Sequence, residues 1–330
     1  MVQETTPENG NDMEDAMKKN YFVLQLFGAA ALLFASTQSA VAQATPASDG
    51  VPVSMVVTVE ARHGSEVPNI SGENVMVYQN RARAKVIDWV PLQGDHAGLE
   101  LFILLDDSRN TSRGSQLEDI RHFIMAQPAT TKIGVAYMQI GGAKIVQDLT
   151  GDHALAANAL HVSTGNLARS GSPYAALGDL IKQWPAGSDR REILMISSGV
   201  DGDYSDYAAD QHNPYVDSAI ERAQRAGIIV FAIRTSGEDY GESRVGPGKH
   251  YLSQVAEETG GESYYHESGP PISFAPYLDD STHQLTRQYR LTFLAQPQKK
   301  AGMQPVKVRT EVAHAELVSA DKVYVPATQQ

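Results

Sequence analysis

The stretch Leu99-Glu-Leu-Phe-Ile-Leu-Leu105 ends abruptly in Asp106, Asp107 and Ser108. The apolar run is too short for a useful helix and predicts a strand buried on both faces. Burial on both faces demands layers above and below, which is the α/β arrangement. The polar tip then lies at the carboxyl end of the strand, the edge where open α/β sheets bind ligands. The tip Asp106-x-Ser108-x-Asn110 is therefore the first place to look for chemistry.

From Leu99 to about Tyr265 the pattern alternates between strand and helix. Strands are predicted at Leu99–Leu105, Ile133–Gln139, Ala143–Gln147, Ile193–Ser197, Ile228–Arg234 and Glu262–Tyr265. Helices are predicted at Ser115–Ala126, Ala154–Leu160, Pro173–Trp184, Val216–Arg225 and Tyr251–Thr259, with Pro173 suited to a first turn. Gly227 and Gly260-Gly261 stand where helices should stop. Strands separated by helix-length segments give a Rossmann-like α/β fold, a mostly parallel sheet with helices on both faces. The Ile133 and Ala143 strands, joined across Gly141-Gly142, would add one antiparallel edge.

The flanks read differently. Val53–Ala61, Asn74–Gln79 and Ala84–Val90 are rich in β-branched residues or alternate. After a helix at Phe274–Thr286, Gln288–Ala295, Val306–Val312 and Lys322–Pro326 alternate in the same way. Three strands alone are marginal, so the two flanks are expected to pair. That gives residues 53–95 and 271–330 as two halves of a β-sandwich-like module, with residues 96–270 inserted between them.

The amino end carries an address. Met17-Lys18-Lys19 is a short positive region, Phe22–Phe34 an apolar segment, and Ala40-Val41-Ala42 an A-x-A site. Residues 1–42 thus read as an extension and a signal peptide, with a mature start near Gln43 and a linker over 43–52. The acidic segment before Met17 does not belong to such a signal, so translation from Met17 is an alternative. An uncleaved anchor or a buried helix is the competing reading of the apolar run. The expectation is an exported protein, periplasmic or secreted, with no transmembrane span in the mature chain. It has no cysteine, hence neither a disulfide nor a lipid-attachment site, and its net charge of −12 argues against nucleic acid as a partner.

Several strand ends should converge on one edge: Asp106-Asp107-Ser108-Arg109-Asn110, the loop Arg169-Ser-Gly-Ser172-Pro, and Ser197-Ser198-Gly199-Val200-Asp201. Short oxygen-bearing side chains of this kind suit a hard cation. With these residues in place, the chain resembles a von Willebrand factor A (VWA) domain. It is most similar to the exported bacterial branch called VWFA-related, described from Acidobacteria. The segments Arg191-Glu-Ile-Leu-Met-Ile-Ser197, Leu252-Ser-Gln-Val-Ala-Glu-Glu-Thr-Gly-Gly261 and Gln288-Tyr-Arg-Leu-Thr292 extend the resemblance over most of the mature chain.

The resemblance implies a metal-ion-dependent adhesion site that would hold Mg²⁺ or Mn²⁺, here in degenerate form. Asp106 and Ser108 match its first positions, while Asn110 replaces a Ser. Ser172 replaces a Thr, and Ser198 stands where a carboxylate belongs. Asp107 and Asp201 are candidate compensators for the lost charge. The alternative is a metal-free hydrogen-bonded cluster pinning the strand ends. Tyr204, Tyr207, Tyr215 and Tyr240 fall in loops near the same edge, where exposed tyrosines make good contact residues.

Other patterns are weaker. Asp201-x-Asp203-x-Ser205 starts like a calcium loop, but Asp206 and His212 replace its Gly and Glu. Gly246-Pro-Gly-Lys249 lacks the remaining features of a phosphate loop and reads as a surface loop. No His-x-x-x-His, dinucleotide fingerprint or Gly-x-Ser-x-Gly elbow occurs. Ser197 or Ser198 with His212 or His266 is the sole hydrolase-like combination. The expected function is a non-enzymatic protein-binding or adhesion module that meets a protein partner, through an acidic side chain if a cation is shared. The alternative is a metal-free scaffold component of a cell-envelope assembly.

Overall fold

A computed structural model describes residues 50–62, 66–106, 114–162, 171–184, 187, 189–202, 212–235, 242–266 and 271–327. The address at residues 1–42 lies outside the described residues, as do Asp107, Ser108, Asn110, Tyr204, Tyr207 and Tyr240. Among the described residues no helix is long and apolar enough to cross a membrane.

The described chain opens with β1 (Val51–Ala61), β2 (Val75–Gln79) and β3 (Ala82–Pro91), so that Val51 and Pro52 belong to a strand and not to the linker. Next come β4 (Leu99–Asp106), α1 (Gly114–Ala126), β5 (Thr131–Gln139), β6 (Gly142–Thr150), α2 (His153–Asn158) and α3 (Pro173–Gln183). They are followed by β7 (Arg190–Ser197), α4 (Pro214–Ala226), β8 (Ile228–Arg234), α5 (Glu242–Thr259) and β9 (Ser263–Tyr264). The last elements are α6 (Ala275–Leu285), β10 (Gln288–Ala295), β11 (Gly302–Thr310), β12 (Ala315–Ser319) and β13 (Lys322–Val325).

Six strands form the central sheet in the order β6-β5-β4-β7-β8-β9. All its pairings are parallel except β5 with β6, the antiparallel edge expected from the sequence. β4 is buried at every position, and its side chains divide between two cores. Leu101, Ile103 and Leu105 meet α1, α2 and α6 on one face. Phe102 and Leu104 meet α3, α4 and α5 on the other. Each such buried side chain contributes roughly 1.5–3 kcal/mol, which is why this strand carries no polar residue except Glu100 before its tip.

Gly246–Lys249 is not a loop: it lies within α5, which begins nine residues before the predicted start at Tyr251. Tertiary packing overrides the poor helix propensity of Gly and Pro here. A Cβ on Gly248 would stand 3.0 Å from the backbone of Ser198, Gly199 and Val200, so glycine is what lets the helix close on the end of β7.

The strands before and after this body share one antiparallel sheet, ordered β12-β1-β10-β3-β2-β11-β13. The edge strands β12 and β13 are consecutive in the chain, joined only by Ala320 and Asp321. Seven strands laid flat would separate the edges by about 29 Å, whereas this link spans at most about 11 Å. The sheet must therefore curl until its edges approach. It encloses Val57, Val77, Leu291, Phe293 and Val325 as its own core. The β module expected from the two flanks takes the form of this one curled antiparallel sheet.

The residues from Ser48 onward form one compact unit, so the curled sheet and the α/β body are joined by a real seam. Gln224 Nε2 donates to Asp321 Oδ1 at 2.6 Å and to Glu258 O at 2.7 Å. Arg190 Nη1 donates to Leu285 O at 2.8 Å and to the side chain of Gln288. Beside it Glu192 is fully buried, facing Arg190 and Gln288. Burial pushes this carboxyl up to about 7 against the pull of Arg190.

Candidate functional site

The parallel register sets Leu105 beside Ile196, so the next residues, Asp106 and Ser197, meet at the carboxyl edge. Ser197 Oγ donates to Asp106 Oδ2 at 3.1 Å and accepts from the Gly199 N–H at 3.1 Å. Ser198, matched by resemblance to the lost carboxylate, is fully buried, and its Oγ accepts from the Val200 N–H at 3.3 Å. The hydroxyl that faces Asp106 thus belongs to Ser197. Side chains alternate along a strand, so of the two adjacent serines Ser197 is the one on the face of Asp106.

The second cluster is built by helix caps. Ser172 caps α3: its Oγ accepts from the Ala175 N–H at 3.2 Å and donates to Asp201 Oδ2 at 2.7 Å. Asn213 caps α4: its Oδ1 accepts from the Tyr215 N–H at 2.9 Å, and its Nδ2 donates to Asp201 Oδ2 at 3.0 Å. Both helices start with Pro, whose missing N–H costs nothing in a first turn. Asp201, 1% exposed, therefore ties the end of β7 to the amino ends of two helices. Their dipoles favour a negative charge at that point.

Gly199 holds the intervening turn at φ +73°, where a Cβ would come within 2.2 Å of Gly248 O. Tyr174, buried in α3, donates its hydroxyl to Gly199 O at 2.7 Å. The sequence reading placed Ser197 at this edge but gave no role there to Asn213, Tyr174 or Gly248. Of these, Asn213 had a usable signal, since Asn followed by Pro before an amphipathic run marks a helix start. Of the tyrosines expected near this edge, Tyr215 is described. It is 40% exposed at the start of α4.

The described donors do not fit a divalent cation by themselves. Asp201 Oδ2 already accepts two hydrogen bonds, from Ser172 and Asn213. Among the described residues no group of three or more His, Asp or Glu is placed to hold a metal. Hard cations in proteins rely on carboxylate oxygens open to the ion. As for hydrolase chemistry, the Ser197 hydroxyl faces a carboxylate, and His212 Nε2 meets Asp217 Oδ2 at 2.9 Å on the surface.

No protein-family model matches the chain, and no curated protein matches it. Solved structures do. An aerotolerance-related membrane protein from Bacteroides fragilis NCTC 9343, carrying multiple mutations to serine, is 17% identical over 57% of this chain and 98% of its own, with a TM-score of 0.42. The ArnB paralog VWA2 from Sulfolobus acidocaldarius is 10% identical over 82% of this chain and 76% of its own, with a TM-score of 0.36. The SpRpn10 VWA domain is 15% identical over 55% of this chain and 94% of its own, with a TM-score of 0.35. With each of these scores below 0.5, the fold of this chain rests on its own strand order and registers.

Proposed function

We propose that this chain is an exported, non-enzymatic protein-binding module of the VWA type, and that it presents the carboxyl edge of its central sheet to a protein partner. One observation carries the reading: Asp201 locks β7, α3 and α4 together through Ser172 and Asn213. A rim braced in this way is a rigid scaffold, and recognition is commonly carried at the edge of such a scaffold. Tyr215 supplies an exposed aromatic at that rim. Because Asp201 Oδ2 already accepts from two protein donors, binding is proposed to need no divalent cation, in contrast to the metal-dependent adhesion that the family resemblance implies.

The test is site-specific photocrosslinking in the exporting cell, with the crosslinker at Tyr215 and, as control, at Leu155 on α2. A discrete protein adduct is expected at Tyr215 only, unchanged by EDTA and lost in Asp201→Ala. Adducts at both positions, or an adduct at Tyr215 that survives Asp201→Ala, would remove the rim from the mechanism. Loss of the adduct in EDTA would instead restore the metal-dependent reading.

A further inference from the structure

The outer face of the curled sheet carries a cluster of cations that the rim does not use. Lys307 pairs with Tyr78 across β11 and β2, and Tyr78 pairs with Arg83 across β2 and β3. Arg309 follows Lys307 by two residues and Lys85 follows Arg83 by two, so all four point away from the core formed by Val77, Val306 and Val308. Arg81 stands in the β2–β3 turn. All five cations are exposed, and among the described residues none lies within ion-pair distance of a carboxylate. Glu73 lines a separate shallow hollow with Arg83 and Lys85 and, among the described residues, forms no ion pair with them. This happens in a chain whose net charge is −12.

The spacing is specific. Along β11 and along β3 the cations repeat every second residue, about 6.8 Å apart. These two rows flank β2 at about 4.8 Å on either side. Between them the half-buried Met76 and Tyr78 form a floor. On the β11 side of this floor a shallow groove of about 730 Å³ opens, walled by Tyr78, Asn80, Arg81, Pro305, Lys307 and Arg309.

We propose that this sheet face binds an extended acidic segment of a partner protein, laid along β2 with carboxylates on both flanks. Alternate side chains of an extended segment repeat at the same interval as the cation rows. Three of the five cations are arginines, whose planar forks take carboxylates in bidentate fashion. A flat anionic bilayer fits less well, because a sheet curled around its own core is convex outside and touches a plane along a narrow strip only. This surface belongs to the curled sheet and is separate from the rim of the α/β body.

The test uses the full chain and a fluorescent peptide of alternating Glu and Thr, followed by anisotropy. Binding is expected at about 20 mM salt, weakened about tenfold or more at about 150 mM. The double variant Arg83→Glu with Lys307→Glu should weaken it at least tenfold. The control Lys144→Glu with Lys182→Glu, equal in charge but placed on β6 and α3, should retain it. Absence of binding at low salt overturns the proposal, as does equal loss in both double variants. Capture of phosphatidylglycerol vesicles without capture of the peptide would assign the face to lipid and equally overturn it.

Discussion

At the scale of single residues, Asp201 ties together the end of β7 and the amino ends of α3 and α4. Asp201→Ala removes the acceptor that the Ser172 hydroxyl and the Asn213 amide share. Removing one partner of a buried hydrogen bond costs about 1–3 kcal/mol. The variant is therefore expected to lose on the order of 3 kcal/mol in urea unfolding, and Asp201→Asn, which keeps an acceptor oxygen, to lose less. An unchanged midpoint for Asp201→Ala would show that the three-element tie contributes nothing. Asp106 and Ser172 were legible in the sequence, because one ends an apolar run and the other precedes a first-turn proline. The partner of Asp106 was not. Two adjacent serines end β7, and only the register with β4 says which of them faces the neighbouring strand.

At the scale of elements, strands and helices of the α/β body followed from periodicity, apart from the start of α5. That helix runs through Gly246-Pro-Gly248, residues that read as a loop in isolation and become helical because Gly248 docks on the turn after β7. The seam gives β7 a pH-dependent element. The Glu192 carboxyl is pushed up to about 7 by burial, from an ordinary 4.5. Below about pH 4.5 both folded and unfolded chains hold its proton, and between there and about pH 7 the folded chain alone does. Stability from this group is therefore complete below about 4.5 and lost as pH rises through about 7, a change on the order of 3 kcal/mol. Glu60 acts in the same sense, raised to about 7 by burial and by Glu262, Asp280 and Glu316. Thermal melts should show Tm falling over this window, and Glu192→Gln should flatten the fall. A parallel curve for the variant would place the slope elsewhere.

At the scale of the whole molecule, four of the seven strands in the curled sheet come from the segment after α6. A chain ending at Arg287 would leave β1, β2 and β3 without β10, β11 and β12. Limited trypsin digestion is expected to cut such a chain rapidly within residues 51–91, whereas the full chain resists there. Equal resistance would mean that the amino-terminal strands hold together unaided. That the two flanks belong to one sheet was legible, since each was too small to stand alone. The curl was not, because it depends on the two-residue link that places β12 and β13 at opposite ends of the strand order.

That link also fixes a timetable. β1 is among the earliest strands to be synthesised, yet its two neighbours, β10 and β12, are complete only at Ala295 and Ser319. Throughout translation, and again during any passage through a translocation pore, its ladder of amides and carbonyls has no native mate. A growing chain of this design needs the edges of β1 shielded until β12 has emerged.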